Sequence, residues 1–183
     1  MVVAVNLSPR QFRQKNLVGS IKTILHEVNL APEYLELEIT EGLLMDNSEA
    51  NFAVLSALKQ MGVSIAIDDF GTGYSSLSYL KRFPINVLKI DRAFVNDISD
   101  NPNDAAIANA VIALGKSMHL SIVAEGVETP AQLDYLRAKG CDIAQGFILS
   151  KPLAADALEA WLQQKLSANP DMPNQCIVRK IGE

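Results

Sequence analysis

Six short apolar segments of this sequence contain, or end in, side chains that can bind metal ions or phosphate groups. These side chains are Asn6 after VVAV, Glu38 in LELEIT, Asp68 and Asp69 after SIAI, Lys89 and Asp91 in VLKID, Glu125 after SIVA, and Gln145 after DIA. Most of them offer carboxylate or amide oxygens, which are the ligands that Mg²⁺ and Mn²⁺ prefer. The recurrence of one pattern in six segments predicts that these groups converge on a single site.

The acidic groups are numerous enough to hold two divalent cations, and a pair of cations suits in-line attack on a phosphorus centre. Asp68, at the end of its segment, is the natural candidate to bridge the pair. Lys89 and Asp91 are two residues apart, so on a strand they would face the same side. A lysine beside two cations is expected to have a lowered pKa, which would let it orient or deprotonate the attacking water.

The elements that must position these groups alternate along the chain. Each apolar segment is followed by a stretch with helical character, and such alternation predicts parallel strands whose C-terminal ends meet at one rim. With 183 residues the chain is short for a complete eight-stranded barrel, which typically needs about 250. We therefore expect an α/β fold of the TIM-type (β/α) barrel kind, incomplete, with about six parallel strands.

Helix boundaries can be predicted at several positions. The segment Thr129 to Gln132 has the form of a capping box with a proline at the first helical position, and Gly140 is expected to end that helix. The segment Ser8 to Gln11 has the same form directly after the first strand. Asp104 is predicted to cap the helix that carries Ile107 and the apolar positions that follow it.

Composition excludes several other kinds of site. Histidine occurs only at His26 and His119, in or beside helical patterns, which disfavours a His-rich zinc site and a Ser-His-Asp triad. The net charge of −5 argues against DNA binding. The two cysteines, Cys141 and Cys176, form no metal-ligand pattern, and no apolar segment is long enough to span a membrane. A cytoplasmic location is therefore expected.

A less specific interpretation exists for each acidic residue taken alone. A single Asp or Glu at a strand end is usually hydrated or caps a helix, and Asp-Asp before Phe-Gly is a common turn sequence. Glu36, two residues before Glu38, is interpreted as an interior polar residue. Six successive strands that follow one rule are difficult to obtain from turn chemistry, so the site hypothesis rests on recurrence.

The motifs together resemble the EAL family of cyclic di-GMP phosphodiesterases. The matching segments are NLSPRQF from Asn6, ELEITE from Glu36, DDFGTGYSSLSYLKRFP from Asp68, LKIDRAFV from Leu88, AEGVET from Ala124 and QGFILSKPL from Gln145. The resemblance implies a domain over residues 1–166, and the two prolines and two asparagines of residues 167–183 predict an irregular tail. The family resemblance implies hydrolysis of cyclic di-GMP, a bacterial second messenger, to linear pGpG, with two Mg²⁺ or Mn²⁺ ions as cofactors.

The resemblance also implies a role for each matched residue. One metal ion would be bound by Asn6, Glu38 and Asp68, and the other by Asp68, Asp69 and Glu125. The catalytic residues would be Lys89, Asp91 and Glu125. Substrate would be bound by Gln145, Ser8 and Arg10, and the DFGTGYSS loop would be anchored by Glu41 and Glu128. Expected partners are cyclic di-GMP, a second copy in a homodimer, and a covalently linked sensory or GGDEF domain.

The sequence departs from the family pattern in one important respect. It contains no Glu-Ala-Leu triplet, whose glutamate is a metal ligand in the family and is closely followed by an arginine that contacts phosphate. We therefore expect a domain truncated at its N-terminus, with impaired hydrolysis. A non-catalytic module that binds cyclic di-GMP or a protein is the alternative, and another metal-dependent barrel enzyme would leave the specific loop sequences unexplained.

Overall fold

The computed structural model describes residues 2–45, 48–71 and 80–168 of the chain. In these ranges a six-stranded sheet has the order β1-β2-β3-β4-β5-β6, so each strand pairs with its neighbours in sequence. The strands are β1 (Val3–Asn6), β2 (Leu35–Thr40), β3 (Ser64–Phe70), β4 (Val87–Ile90), β5 (Ser121–Ala124) and β6 (Ile143–Ala144). All five strand pairs are parallel, which confirms the predicted sheet.

Helices lie between the other successive strands, as parallel pairing requires, whereas the connection from β3 to β4 includes residues 72–79, which are outside the described ranges. The described helices span Pro9–Phe12, Leu17–Glu27, Glu41–Met45, Ser48–Met61, Arg92–Asn96, Pro102–Ser117, Pro130–Lys139 and Ala155–Ala168, with a short 3₁₀ helix at Pro32–Tyr34. None of the helices in the described ranges is both long enough and apolar enough to cross a membrane.

The sheet has one face toward the helices and one face that carries the polar groups, because side chains alternate along each strand. On β2, Leu37 and Ile39 belong to the main apolar core, whereas Glu36 and Glu38 belong to the other face. A small separate apolar cluster on that second face contains Ala66, Val87 and Val123, with Ile143 packed against it. Apolar residues therefore lie beneath the polar groups at the rim.

The strand register aligns the predicted ligands. Asn6 is opposite Glu38 in the β1–β2 pair, and Thr40 is opposite Asp68 in the β2–β3 pair. The β3–β4 pairing shifts between Ile67 and Phe70, which places a bulge at the end of β3. Parallel pairing in this register brings the ligand-bearing strand ends to the same edge of the sheet.

Two of the three predicted helix starts are confirmed. Ser8 and Thr129 each begin a helix with a complete capping box, and Gly140 ends the second of these helices in the left-handed conformation. The prediction for Asp104 is wrong, because Asn101 caps the helix Pro102–Ser117 and accepts a hydrogen bond from Asn103 N–H. Asp104 instead accepts a hydrogen bond from the Asn101 side chain at 2.7 Å, within the first turn.

Several sequence predictions fall outside the described residues. The predicted tail, residues 167–183, overlaps the described part of the chain only at the end of the helix Ala155–Ala168. Cys176 and most of the DFGTGYSS segment also lie outside the described ranges. The division of the chain at residues 166 and 167 stays a prediction.

The helix-facing core should determine stability. Ile65 on β3 is fully buried, whereas Ile24 on the helix Leu17–Glu27 is 55% exposed. Ile65→Ala should lower the free energy of unfolding by about 2–5 kcal/mol, because it removes buried methyl groups and leaves a cavity. Ile24→Ala, the same chemical change at an exposed position, should cost no more than about 0.5 kcal/mol. Urea unfolding of both variants tests this, and equal losses would contradict the core assignment.

Candidate functional site

Lys89 lies at the centre of the polar face. Its Nζ atom is 2.6 Å from Glu38 Oε1, 2.6 Å from Glu125 Oε1 and 3.3 Å from Asp68 Oδ1. The lysine is completely buried, and all three carboxylates are also buried. Four residues that are distant in sequence thus form one ionic cluster, with Glu125 directly after β5 and the other three residues on β2, β3 and β4.

The charges of this cluster do not balance. Burial of a carboxylate is costly unless a positive charge or hydrogen bonds compensate for it. One ammonium group cannot neutralise the carboxylates of Glu38, Asp68 and Glu125, and Asp69 brings a fourth carboxylate close to the last two. The excess of buried negative charge is the electrostatic condition under which a protein binds divalent cations.

The pKa of Lys89 is raised above its usual value. Burial acts to lower this pKa, but the charges of Glu125, Glu38 and Asp68 outweigh burial and raise it. The direction is opposite to the one predicted for a lysine beside two cations, because the chain's own groups around the ammonium are anionic. Lys89 is therefore a firmly protonated hydrogen-bond donor in the electrostatic field of the chain itself.

Asn6 extends the cluster from β1. The end of its carboxamide lies 3.1 Å from Glu38 Oε2 and 3.3 Å from Asp68 Oδ2. With the amide nitrogen in this position, Asn6 donates hydrogen bonds to both carboxylates. With the amide oxygen there, three oxygens face one another, which is the donor set of a hard cation. The two orientations differ only by a rotation of the amide, so the same side chain can serve the cluster with or without a cation.

Asp68, Asp69 and Glu125 form a second group of potential ligands. One carboxylate oxygen of each lies within 4.8 Å of the others. Consecutive residues of a regular strand would face opposite sides, but Asp69 has a left-handed backbone with φ of 55° and lies in the bulge. Aspartate adopts this conformation more readily than most residues. The bulge thus brings two consecutive carboxylates to one site.

Asp91 lies beside this group but not on a strand. β4 ends at Ile90, and Asp91 caps the helix Arg92–Asn96, where its Oδ1 accepts a hydrogen bond from Ala93 N–H at 2.6 Å. The expectation that Asp91 continues the strand beside Lys89 is therefore wrong. A hydrogen bond between its side chain and that of Asp69 still places it at the edge of the cluster.

The environment of Asp69 raises its pKa from 3.8 to about 6. Partial burial is the largest cause, and the negative charge of Asp68 is the next. The hydrogen bond to Asp91 and the charges of Asp91 and Glu125 act in the same direction. Because of this raised pKa, Asp69 takes up a proton at a higher pH than an ordinary aspartate, which relieves part of the excess negative charge as the pH falls toward 6.

Gln145 reaches the site through backbone pairing that continues beyond β5 and β6. Its N–H donates to Ala124 C=O at 2.8 Å, and its C=O accepts from Val127 N–H at 3.0 Å. Its side-chain Oε1 is buried and has no hydrogen-bond partner among the described residues. The backbone of Gln145 pairs with Ala124, the residue before Glu125, and a buried acceptor of this kind suits a ligand that donates a hydrogen bond.

Two predicted substrate-binding residues, Ser8 and Arg10, make no described contact with the cluster. Ser8 is exposed, and its hydroxyl donates to Gln11 Oε1 at 2.7 Å as part of the cap. Arg10 is also exposed, and no described ion pair or hydrogen bond joins Ser8 or Arg10 to the carboxylates. Their predicted role in substrate binding stays a prediction.

The two predicted loop anchors differ in environment. Glu41 is buried, and its Oε2 accepts from Gly71 N–H at 3.4 Å, directly before residues 72–79. Glu128 is exposed, and the hydrogen bond that the structure describes for it involves its backbone N–H. Glu41 therefore contacts the residue that precedes this segment, and the anchoring roles of Glu41 and Glu128 both stay predictions.

Sequence analysis missed the structural role of two glycines. A Cβ at Gly146 would overlap the Val127 backbone, and a Cβ at Gly126 would lie 2.6 Å from Arg92 Cβ. The turn after β6 therefore packs closely against the backbone of the turn after β5, and the turn after β5 packs closely against Arg92, which follows β4. The signal was present, because each glycine directly follows a predicted site residue, Glu125 or Gln145.

Glu36 is separate from the ionic cluster, in agreement with its interpretation as an interior polar residue. Its Oε2 accepts a hydrogen bond from Ser64 Oγ at 3.0 Å. Burial is the main cause that raises the pKa of Glu36. Glu36 lies two residues before Glu38, on the same face of β2. Its charge interacts with that of Lys89, but the two side chains are not in contact.

Comparison with known protein families identifies the family to which this architecture belongs. The model of the EAL domain family matches residues 1–152. This chain belongs to the EAL domain family. Members of this family have a TIM-type barrel fold, so the six parallel strands with their helices are part of such a barrel, as the sequence predicted.

Relatives agree with this assignment. The chain is 50% identical over 158 residues to MucR of Pseudomonas aeruginosa, a bifunctional diguanylate cyclase/cyclic di-GMP phosphodiesterase, and the match covers 86% of the chain and 23% of MucR. The MucR phosphodiesterase in complex with c-di-GMP superposes with a TM-score of 0.83, over 86% of this chain and 64% of that one. This chain thus spans about a fifth of the length of the curated relatives it matches.

Two further structures extend the comparison. The EAL domain of Mycobacterium smegmatis DcpA has a TM-score of 0.85 and 43% identity, over 90% of this chain and 74% of that one. Klebsiella pneumoniae BlrP1, in a complex with manganese and cyclic di-GMP, has a TM-score of 0.76 and 35% identity, over 82% of this chain and 39% of that one. EAL domains of known structure thus share the arrangement of the strands that carry the cluster.

The raised pKa of Asp69 should appear in the pH dependence of stability. A carboxyl group whose pKa rises from 3.8 to about 6 on folding stabilises the protein below the lower value and loses this effect as the pH rises through the upper one. Asp69→Asn should therefore lose less stability than the native chain between about pH 4 and 7, since asparagine does not titrate and also tolerates the left-handed backbone.

The measurement is the melting temperature of each variant at a series of pH values. A chelator is present so that bound cations do not contribute to the pH dependence of stability. Asp134→Asn is the control, because the Asp134 side chain is 73% exposed. It should follow the pH dependence of the native chain. If Asp69→Asn followed it as well, Asp69 would not have a raised pKa in the folded state.

Proposed function

We propose that this chain carries the ion-binding and water-activating part of a cyclic di-GMP phosphodiesterase, which hydrolyses cyclic di-GMP to linear pGpG. The observation that supports this most strongly is the cluster in which Lys89 contacts Glu38, Asp68 and Glu125 within a buried site. The choice of cyclic di-GMP as the substrate is supported by membership of the EAL family and by the similarity to the MucR phosphodiesterase bound to c-di-GMP.

The residues of the cluster fit two divalent cations of the Mg²⁺ or Mn²⁺ class. Asn6, Glu38 and Asp68 would hold one ion, and Asp68, Asp69 and Glu125 the other, with Asp68 shared. The fit rests on the hard oxygen donors, on the excess of buried negative charge and on the proximity of the three carboxylates. When bound, such ions would supply the positive charge that polarises a phosphodiester and makes water a better nucleophile.

The reaction adds one water across a phosphodiester bond: the water oxygen bonds to phosphorus, the bond from that phosphorus to the 3′ oxygen of the neighbouring ribose breaks, and the 3′ oxygen takes up a proton and leaves as a hydroxyl group. In this proposal Lys89 donates hydrogen bonds that hold the water and the ligands in one geometry. Asp91, at the edge of the cluster, accepts the proton of the water. Gln145 contributes its unpartnered Oε1 as an acceptor at the opposite wall.

Divalent cations should stabilise the chain through this cluster. Mn²⁺ should raise the melting temperature, and an ion present at about 100 times its dissociation constant adds roughly 2.7 kcal/mol. Asp68→Asn should abolish most of this increase, because Asp68 is the shared ligand. Asp134→Asn should respond to Mn²⁺ as the native chain does. An unchanged response of Asp68→Asn would show that the cations bind elsewhere.

Hydrolysis by this chain alone should be slow. The sequence contains no Glu-Ala-Leu triplet, so the ligand and the phosphate contact that the family pattern places there are not supplied by these 183 residues. With Mn²⁺ and cyclic di-GMP, the rate should be at least about a hundredfold below that of a longer domain such as the MucR phosphodiesterase, of which this chain covers 64%.

Chromatographic detection of pGpG measures this rate, and Lys89→Met should remove the remaining activity. A rate equal to that of the longer domain would contradict the proposed impairment. Nucleotide binding that needs no cation, without pGpG from the chain or from a longer form of it, would instead select a cyclic di-GMP receptor.

The proposed partners follow from membership of the family. A homodimer and a covalently linked sensory or GGDEF domain stay predictions, as does a cytoplasmic location. The MucR relative is named for both cyclase and phosphodiesterase activities, which supports linkage to a cyclase domain. Light scattering of the purified chain would reveal whether it associates with a second copy.

A further inference from the structure

Gln132 makes an unusual set of contacts for a residue in the first turn of a helix. It is only 6% exposed. Its Oε1 accepts hydrogen bonds from Glu128 N–H at 2.8 Å and from Thr129 N–H at 2.9 Å. Its Nε2 donates to Asn96 C=O at 2.8 Å, across 36 residues of sequence. A capping box requires only the bond to Thr129, so the contact with Asn96 needs a different explanation.

The contact joins the two segments that carry the outer half of the candidate site. Asn96 is the last residue of the helix Arg92–Asn96, which Asp91 caps. Glu128 and Thr129 end the segment that starts at Glu125, directly after β5. Gln132 therefore connects the segment of one proposed catalytic residue with the segment of another.

A second close contact joins the same two segments at their opposite ends. A Cβ added to Gly126 would lie 2.6 Å from Arg92 Cβ, so the backbone after Glu125 packs directly on the start of the helix Arg92–Asn96. The Gly126–Arg92 contact fixes the end near the carboxylates, and the Gln132–Asn96 hydrogen bond fixes the end away from them. Two separated contacts prevent rotation of one segment on the other, which a single contact would allow.

We propose that Gln132 is a positioning residue that holds Glu125 and Asp91 in register for the cations and the water. The inference rests on the proposed function. Glutamine suits the position because its amide combines an acceptor for two N–H groups with a donor for one carbonyl. Glutamate would keep the acceptor but lack the donor, and alanine would lack both.

Metal binding and hydrogen exchange together test this. Gln132→Ala should weaken Mn²⁺ binding at the Asp68, Asp69 and Glu125 group by about tenfold, since loss of groups that orient a ligand commonly costs about 10–100-fold in affinity. It should also speed amide exchange in residues 91–96 and 125–129. Gln132→Glu should speed exchange in residues 91–96 alone, because only the bond to Asn96 is broken.

Tyr135→Phe is the matched control. Tyr135 lies on the same helix as Gln132, and its hydroxyl accepts a hydrogen bond from Asn109 Nδ2 at 3.0 Å on the helix Pro102–Ser117. This variant removes a partly buried contact between helices without touching the two segments. It should lower the melting temperature but leave Mn²⁺ affinity within about twofold and exchange in the two segments unchanged.

The outcomes separate the inference from the proposed function. If Gln132→Ala merely lowered the melting temperature as Tyr135→Phe does, with native Mn²⁺ affinity and native exchange in both segments, the positioning role would be overturned. If the native chain bound no Mn²⁺, the proposed function would fail. The positioning of cation ligands would fall with it, and exchange would then test only the structural link: unchanged exchange in residues 91–96 of Gln132→Ala would refute the link between the two segments, and faster exchange would support it.

Discussion

The contact of the Lys89 ammonium with Glu38, Asp68 and Glu125 is the interaction on which the rest of the site depends. A buried lysine without these carboxylates would lose its charge, and buried carboxylates without the lysine would repel one another. The partners lie on successive strands or directly after one, so the charge pairing also ties the sheet together at its rim. Removing one member of such a buried group commonly costs about 3–5 kcal/mol.

Alternation along the strands allows one short segment to serve both the core and the site. In β4, Leu88 and Ile90 pack into the helix-facing core, while Lys89 enters the ionic cluster on the other face. A shift of one residue in the register would exchange these environments and place a charge in the core. The apolar core therefore determines where the ligands lie, although it makes no chemical contribution of its own.

Much of this arrangement could be predicted from the sequence. Parallel strands and a shared rim follow from the alternation of apolar and helical segments, and this logic correctly grouped Asn6, Glu38 and Lys89. It failed at Asp91, because one residue beyond a strand end the chain already turns into a helix. The backbone geometry of the bulge, which brings the side chains of Asp68 and Asp69 to the same site, cannot be read from a strand pattern. The contact between Gln132 and Asn96 joins residues 36 positions apart, so no local sequence pattern predicts it.

The packing of Gly146 against the Val127 backbone has a consequence for how this domain can diversify. Because the turns after β5 and β6 are interlocked, an insertion or deletion in one of them would displace the other, and neither can change length independently. In the turn between the helices Arg92–Asn96 and Pro102–Ser117, Ile98 is buried in the core, but the adjoining Ser99 and Asp100 are exposed and do not interlock with another turn among the described residues. Length variation among homologues should therefore accumulate there, and this turn is the natural place to graft a reporter peptide.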